Sequence, residues 1–404
     1  MPAVRFIVIV ACTIACREPP DGRSLDGRVP DASTPGPGIP DGAIRVSDEG
    51  SSGSVCAAVV AAADGGLTVA WTSRMDSTRR VVTNHLYQDG SRVGPDRTVA
   101  TFEAERWVGC PAVARGGDLI ALAWSSPEGV NIANLDGNGA IVGAPAIVVP
   151  TTDGLGVSLA SDGNGYGLVW EEGRGSLDER QIGFIRLDLA GSPTGAPQVL
   201  VPRAEFGEGP TIAAGSTGFA VAWFDGNTVL LQRLAADGSP LGEPTSDRGS
   251  GASLNSSEDF PPAWSPPVAI APSGSTLGLA WRYVAPSDNG SLVRFHVTER
   301  DAPELGDARP ISIATRLDEA APFAAASPDG FLVAWTSYPF IHIDSIRFSS
   351  RLRFVRFDSA GQPLPPIEAI GSDLDARAAG FDGTQYVLLL TTSDGGLYAL
   401  KVDP

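Results

Sequence analysis

Short apolar runs separated by glycine turns recur along most of the chain. The phrase is most legible at residues 111–124, PAVARGGDLIALAW. An apolar run leads into a Gly-Gly turn, and a second apolar run ends on tryptophan. Degenerate copies close on Trp71, Trp124, Trp170, Trp223, Trp281 and Trp335, and a seventh ends on Leu390. The intervals are 53, 46, 53, 58, 54 and 55 residues. A period of this length marks a repeat architecture. No long stretch carries helical periodicity with caps, so almost no helix is expected.

Each unit predicts four strands. In the second they are residues 112–115, 119–124, 130–135 and 145–149, with turns at Gly116-Gly117 and at Asp136-Gly137-Asn138-Gly139. The third repeats the plan at 157–160, 166–170, 182–187 and 198–201, and the sixth at 323–326, 331–335, 352–357 and 366–370. Glycine permits the positive φ that tight turns between antiparallel strands demand. Seven such units predict an all-β fold, a seven-bladed β-propeller of four-stranded antiparallel blades. Six blades are the alternative if the last unit packs irregularly. The six tryptophans read as wedge fillers between blades.

The chain ends support the count. The seventh unit offers residues 376–380, 386–390 and 397–402 and lacks a fourth strand. Residues 43–47, AIRVS, precede the first unit and resemble a fourth strand. Docked on the seventh unit, they would close the ring and cover a sheet edge.

The start of the chain is of another kind. Residues 1–15 carry Arg5 and then a ten-residue apolar run, too short to span a bilayer and suited to a secretory signal. Thr13-Ile14-Ala15-Cys16 resembles a bacterial lipoprotein cleavage box, although Thr13 stands where leucine is usual. Cys16 would carry the lipid. An ordinary secreted protein cut nearby is the alternative. Residues 16–42 are rich in Pro, Gly, Asp, Ser and Arg and read as a disordered tether. The propeller then spans residues 43–404. Arg17 rather than aspartate follows the cysteine, and by resemblance to enteric sorting this points to the outer membrane, periplasmic or surface-facing.

Charge removes one class of partner. The chain has 29 basic and 47 acidic residues, a formal −18. Phosphate contact needs clustered Lys and Arg, so nucleic acid is not expected. A monomer touching the membrane only through lipid is.

The links fall into two classes. Those between strands one and two, and three and four, are short and alike. Those between strands two and three, and between units, vary: residues 72–80, 171–180, 248–266 and 336–350 are examples. In a propeller the two classes emerge on opposite faces, and binding residues usually sit on the variable loops. Trp107 and Trp264 lie outside the repeat phrase, in loops between units. They could stack on sugars or anchor a protein, or fold under their own loops. Glu105, Glu208, Glu319 and Asp375 recur just ahead of strand one, with Asp153 and Asp259 nearby. A ring of them would favour cations or a basic partner; plain loop solubility is the alternative. The Asp-Gly pairs read as turns, and no calcium loop appears. No nucleophile elbow, phosphate loop or zinc-protease motif is present, and the three histidines are scattered. No cofactor, metal or catalytic residue is expected.

Cys56 and Cys110 occupy the same place in units one and two, just ahead of strand one. Equivalent points on adjacent inner strands lie about 6 Å apart, within disulfide range. A bridge is expected in an oxidising compartment; two buried free thiols are the alternative.

The phrase P-x-x-A, G-G-x-L, A-W, L-D-x-x-G-x-x-x-G resembles the lipid-anchored, propeller-like repeat proteins of Gram-negative bacteria. The resemblance covers residues 43–404 and implies fold and address, not activity. The reading is a non-enzymatic envelope lipoprotein binding a protein or polysaccharide partner through its variable face. The alternative is a hydrolase or lyase acting on extracellular polysaccharide with paired carboxylates.

Overall fold

The computed structural model describes residues 39–48, 56–151, 154–173, 180–202, 208–215, 217–225, 228–246, 268–284, 291–299, 305, 309–311, 317–339, 350–371, 373–392 and 395–404. The expected signal segment, Cys16, the expected tether up to residue 38, Asp153, Asp259 and Trp264 lie outside the described residues.

The strands are β1 (Ile44–Arg45), then β2 (Ala57–Ala61), β3 (Leu67–Met75), β4 (Thr78–Leu86) and β5 (Arg97–Glu103) of blade 1. Blade 2 holds β6 (Ala112–Gly116), β7 (Leu119–Ser126), β8 (Gly129–Leu135) and β9 (Ile141–Val149). Blade 3 holds β10 (Gly154–Ser161), β11 (Tyr166–Glu172), β12 (Gln181–Leu187) and β13 (Gln198–Val201). Blade 4 holds β14 (Glu208–Gly215), β15 (Gly218–Phe224), β16 (Val229–Ala235) and β17 (Thr245–Ser246). Blade 5 holds β18 (Val268–Ser273), β19 (Thr276–Val284), β20 (Ser291–Glu299) and β21 (Arg309–Pro310). Blade 6 holds β22 (Leu317–Glu319), β23 (Phe323–Ser327), β24 (Gly330–Pro339), β25 (Arg351–Asp358) and β26 (Pro363–Ile370). Blade 7 holds β27 (Leu374–Phe381), β28 (Tyr386–Thr392) and β29 (Leu397–Val402).

Every pairing is antiparallel, and each blade runs in sequence order from its inner strand outwards. Blade 7 takes β1 as its fourth strand, with Ile44 opposite Ala399 and Arg45 opposite Tyr398. The seven inner strands touch in the order β2, β6, β10, β14, β18, β23, β27 and back to β2. That closes a seven-bladed propeller. Blade 6 departs in detail. Its inner strand is split at Pro322, and β22 and β23 pair separately with the long β24. Proline has no N–H to give a ladder, which accounts for the break.

The core is divided like the ring. Seven hydrophobic clusters of buried residues are described, and each fills one junction between neighbouring blades. The six motif tryptophans, all at most 3% exposed, project towards the preceding blade, and Leu390 takes the same place at the junction of blades 6 and 7. None of the six indole N–H groups has a hydrogen-bond partner in the structure. A buried indole normally finds one, so the rings serve here as apolar volume. Trp170 shows how tight the fit is. A Cβ added at Gly183 on the next strand would stand 2.2 Å from its ring, and only glycine leaves the room.

The turns of one face are fixed by aspartate. Asp136 accepts from the N–H groups of Asn138 and Ala140, both at 2.9 Å. Asp358 does the same for Ala360 and Gln362, and Asp382 for Thr384 and Gln385. Short aspartate side chains satisfy the backbone of such turns directly. The expectation of turn-forming Asp-Gly pairs therefore holds at Asp136-Gly137 and Asp382-Gly383, while Asp358, followed by Ser359, plays the same part without the adjacent glycine.

Candidate functional site

The opposite face carries the variable links. In three blades the residue directly after the motif tryptophan is polar, and its side chain crosses to the backbone of the next blade's inner strand. Ser125 Oγ donates to the carbonyl of Leu155 at 2.8 Å, Glu171 accepts from the N–H of Gly209 at 2.9 Å, and Thr336 Oγ1 accepts from that of Ala376 at 2.9 Å. In β10, β14 and β27 the ladder is irregular at this level, which frees the backbone group that is met. Glu171 is only 4% exposed and also accepts from Arg180 Nη1 at 2.7 Å. Sequence reasoning missed these crossings, although a polar residue directly after the tryptophan was their signal.

The sector between blades 1 and 2 carries a covalent crosslink. Cys56 and Cys110 form a disulfide, their Cα atoms 5.4 Å apart. Cys56 Sγ also lies 3.4 Å from Thr72 Oγ1. The adjacent Gly109 donates to the carbonyl of Ser125 at 3.0 Å. A Cβ there would meet Ser125 Oγ at 2.2 Å and the Leu155 oxygen at 2.5 Å, so position 109 must be glycine. The ring of Trp107 reaches the same spot, its Cη2 2.9 Å from where that Cβ would stand. Trp107 is half-buried, with one edge of its ring over Gly109.

The loop that leads to Trp107 is strapped to the blade 1 hairpin. The N–H of Ala104 donates to the carbonyl of Ser77 at 2.8 Å, and Arg79 Nε donates to the carbonyl of Ala104 at 3.0 Å. Arg106 pairs with Glu128 of blade 2, while Glu105 on the same turn is exposed. The link at residues 72–80, expected as an irregular loop, is instead mostly strand. β3 and β4 run on as a hairpin whose tip is Asp76 and Ser77, and Asp76 sits at a φ of 53°.

Of the carboxylates expected ahead of strand one, three stand on strands. Glu208 opens β14 opposite Phe224, Glu319 ends β22 opposite Ser337, and Asp375 lies inside β27 opposite Thr391. Backbone pairing starts earlier than the apolar runs suggest, so these positions belong to strands. Asp375 is also engaged, accepting from Tyr338 Oη at 3.0 Å and from Arg377 at 3.2 Å. Among the described residues Glu105 is an exposed loop carboxylate of the kind expected. Among the described residues no group of three or more His, Cys, Asp or Glu side chains could hold a metal ion.

One histidine has more company than the sequence suggested. His85 is fully buried, with Thr68 Oγ1 3.2 Å from Nδ1 and Asp64 Oδ2 3.0 Å from Nε2. Burial works to raise the Asp64 pKa, but hydrogen bonds from the Gly66 N–H and from His85, with the His85 charge, hold it below the ordinary aspartate value. Thr68 is fully buried and has no approach for a substrate. The trio joins the β2–β3 turn to β4. Asp162 with Arg186 and Asp382 with Lys401 make the same link in blades 3 and 7.

No protein-family model matches the sequence, and no curated protein sequence matches it. Solved structures do. A protein of unknown function from Dyadobacter fermentans is similar with a TM-score of 0.50 at 11% identity, over 82% of this chain and 96% of that one. The Dos1 propeller is similar with a TM-score of 0.48 at 11% identity, over 88% and 94%. A prolyl endopeptidase structure gives 0.47 at 14% identity over 86% of this chain, which spans about half (47%) of that enzyme's length. At these identities the likeness is one of fold.

Proposed function

We propose that the chain is a non-enzymatic cell-envelope lipoprotein, tethered through Cys16, whose propeller binds a protein or glycan partner on the face of the variable links. The observation that carries the reading is the contrast between the two ends of the blades. One end is closed by short aspartate-capped turns. The other presents a half-buried indole, Trp107, on a loop held by a disulfide, a required glycine and two hydrogen bonds between Ala104 and the neighbouring hairpin, one from its own N–H to Ser77 and one to its carbonyl from the Arg79 side chain. A rigid scaffold under a partly exposed aromatic is the ordinary build of a binding site.

The test is a glycan array run beside a pull-down from solubilised envelopes, with the wild type and Cys16→Ser compared after membrane fractionation. A retained glycan or envelope protein supports the reading, and its cleavage would point to the hydrolase or lyase alternative. Cys16→Ser should leave the membrane for the soluble fraction, since lipid is the anchor the sequence offers. No retained ligand in either format would sink the binding role.

A further inference from the structure

The tip of the blade 1 hairpin concentrates positive charge on an acidic protein. Arg74 stands directly opposite Arg79 on the paired strands, and Ser73 opposite Arg80. Like charges directly opposite on one sheet face repel and destabilise it. Among the described residues none of Arg74, Arg79 and Arg80 has a carboxylate within ion-pair distance, although the chain has 47 acidic residues. By contrast Arg92, Arg106, Arg180, Arg186 and Arg377 are each paired with one. Asp76 sits on the same tip and Glu105 on the adjoining turn, but both are exposed and neither is bonded to these arginines.

The hairpin is also joined to the aromatic candidate. Arg79 Nε holds the carbonyl of Ala104, three residues before Trp107, and Phe102 lies opposite Arg79 on the next strand. The Trp107 loop is then pinned at its far end by Cys110. Two guanidinium groups without a carboxylate partner among the described residues, those of Arg74 and Arg79, therefore lie on a frame that also carries a half-buried indole. Guanidinium binds carboxylate through a planar pair of donors, and an indole face packs against a sugar ring.

We propose that the blade 1 hairpin and Trp107 form a binding site for an acidic polysaccharide, Arg74 and Arg79 taking its carboxylates and Trp107 a sugar face. The site rests on the binding reading above and names its ligand class. It also reverses the expectation of a basic partner. An acidic peptide would use the arginines alike but would leave the indole without a ring to cover.

The test is titration of the full chain, made soluble by Cys16→Ser, with galacturonate oligomers. The comparison probes are the same oligomers with their carboxyls reduced to alcohols, and polyglutamate. Binding of the acidic oligomers should weaken as salt rises. Arg74→Glu and Trp107→Ala should each weaken it by about tenfold or more, the equivalent of ~1.4 kcal/mol. Arg115→Glu, the same charge change at an exposed site beside the β6–β7 turn of the other face, should leave it unaltered. Arg74 is exposed, so its variant folds; unfolding midpoints check Trp107→Ala. The inference is overturned if the oligomers do not bind, if the reduced oligomers or polyglutamate bind equally well, or if Arg74→Glu matches Arg115→Glu. If the array or pull-down still yields a ligand indifferent to Arg74→Glu, the binding reading stands and only the ligand class falls. If they yield nothing, both fall.

Discussion

Blade 1 is fastened to its two neighbours by different means. Towards blade 2 the fastener is covalent, the Cys56–Cys110 bridge between successive inner strands. Towards blade 7 it is a set of weak bonds between opposite ends of the chain. β1 pairs with β29, Val46 is buried in the junction beside Trp71 and Leu397, and Ser47 Oγ accepts from the N–H of Leu397. Asp48 and Asp96 then each accept from the other's backbone N–H, at 2.8 and 3.0 Å, and share Arg92 at 2.6 Å. Successive blades meet through short stretches of chain. The seam joins residues about 350 apart, and so bears the largest loop-closure entropy. A blade beside such a seam would be the first to peel. The bridge ties that blade to the rest of the ring, and it is the blade that carries the proposed site.

The largest effect should come from opening the seam. A chain begun at residue 49 lacks β1, the buried Val46 and the Asp48 bonds. Burial of one valine is worth ~2 kcal/mol and each backbone bond ~1 kcal/mol, so a loss of about 5 kcal/mol is expected relative to a chain begun at residue 39. Denaturant unfolding measures it. Equal midpoints would mean that the seven inner strands hold the ring without the seam.

The second effect is the bridge. Cys56→Ser with Cys110→Ser should lower stability by about 2–4 kcal/mol, as expected for a crosslink closing a loop of this length. Combined with the truncation, the losses should exceed their sum, because either fastener alone still holds blade 1. Strict additivity would show that the two junctions act independently.

These two fasteners were the legible part of the molecule. The bridge followed from two cysteines at the same place in adjacent repeats, and the seam from a last unit one strand short. Both are statements about repeat register, which sequence carries well. The Asp48, Asp96 and Arg92 clasp was not legible, since it depends on how the link after β4 folds back. There Val93 donates to the carbonyl of His85 and Asn84 Nδ2 reaches Asp96 at 2.9 Å. The hairpin arginines were hidden for a related reason. Residues 74–80 lose their apolar pattern because strands that leave the core have no buried face to mark. Glu208, Glu319 and Asp375 show the opposite, because there backbone pairing continues where apolar character stops.

The smallest effect separates the two junctions by pH. Burial comes first among the causes that raise the Asp96 pKa above the usual aspartate value, and the neighbouring Asp48 charge adds to it; bonds from the Asp48 N–H, Asn84 and Arg92 offset only part. Folded Asp96 therefore keeps its proton to a higher pH than the unfolded chain, whose value is about 3.9. Between those two values the folded state holds more protons, so this contribution to stability is full below about 3.9 and is lost as pH rises through the folded value. Asp48 runs the other way. Burial works to raise its pKa too, but hydrogen bonds from Arg92 and the Asp96 N–H, with nearby arginine charge, bring it below the ordinary value. Its contribution is present above about 3.9 and is lost as pH falls through that lower folded value. The two windows lie on opposite sides of the unfolded value and can be read separately. Asp96→Asn, neutral throughout, should remove the decline on the upper side and leave the one on the lower side. The double serine variant should shift the whole profile downwards with its shape intact, because a disulfide does not titrate. Stability measured by denaturant at a series of pH values tests both. An unchanged upper slope in Asp96→Asn would show that the clasp does not couple to protons, and a changed slope in the double serine variant would show that the covalent junction does.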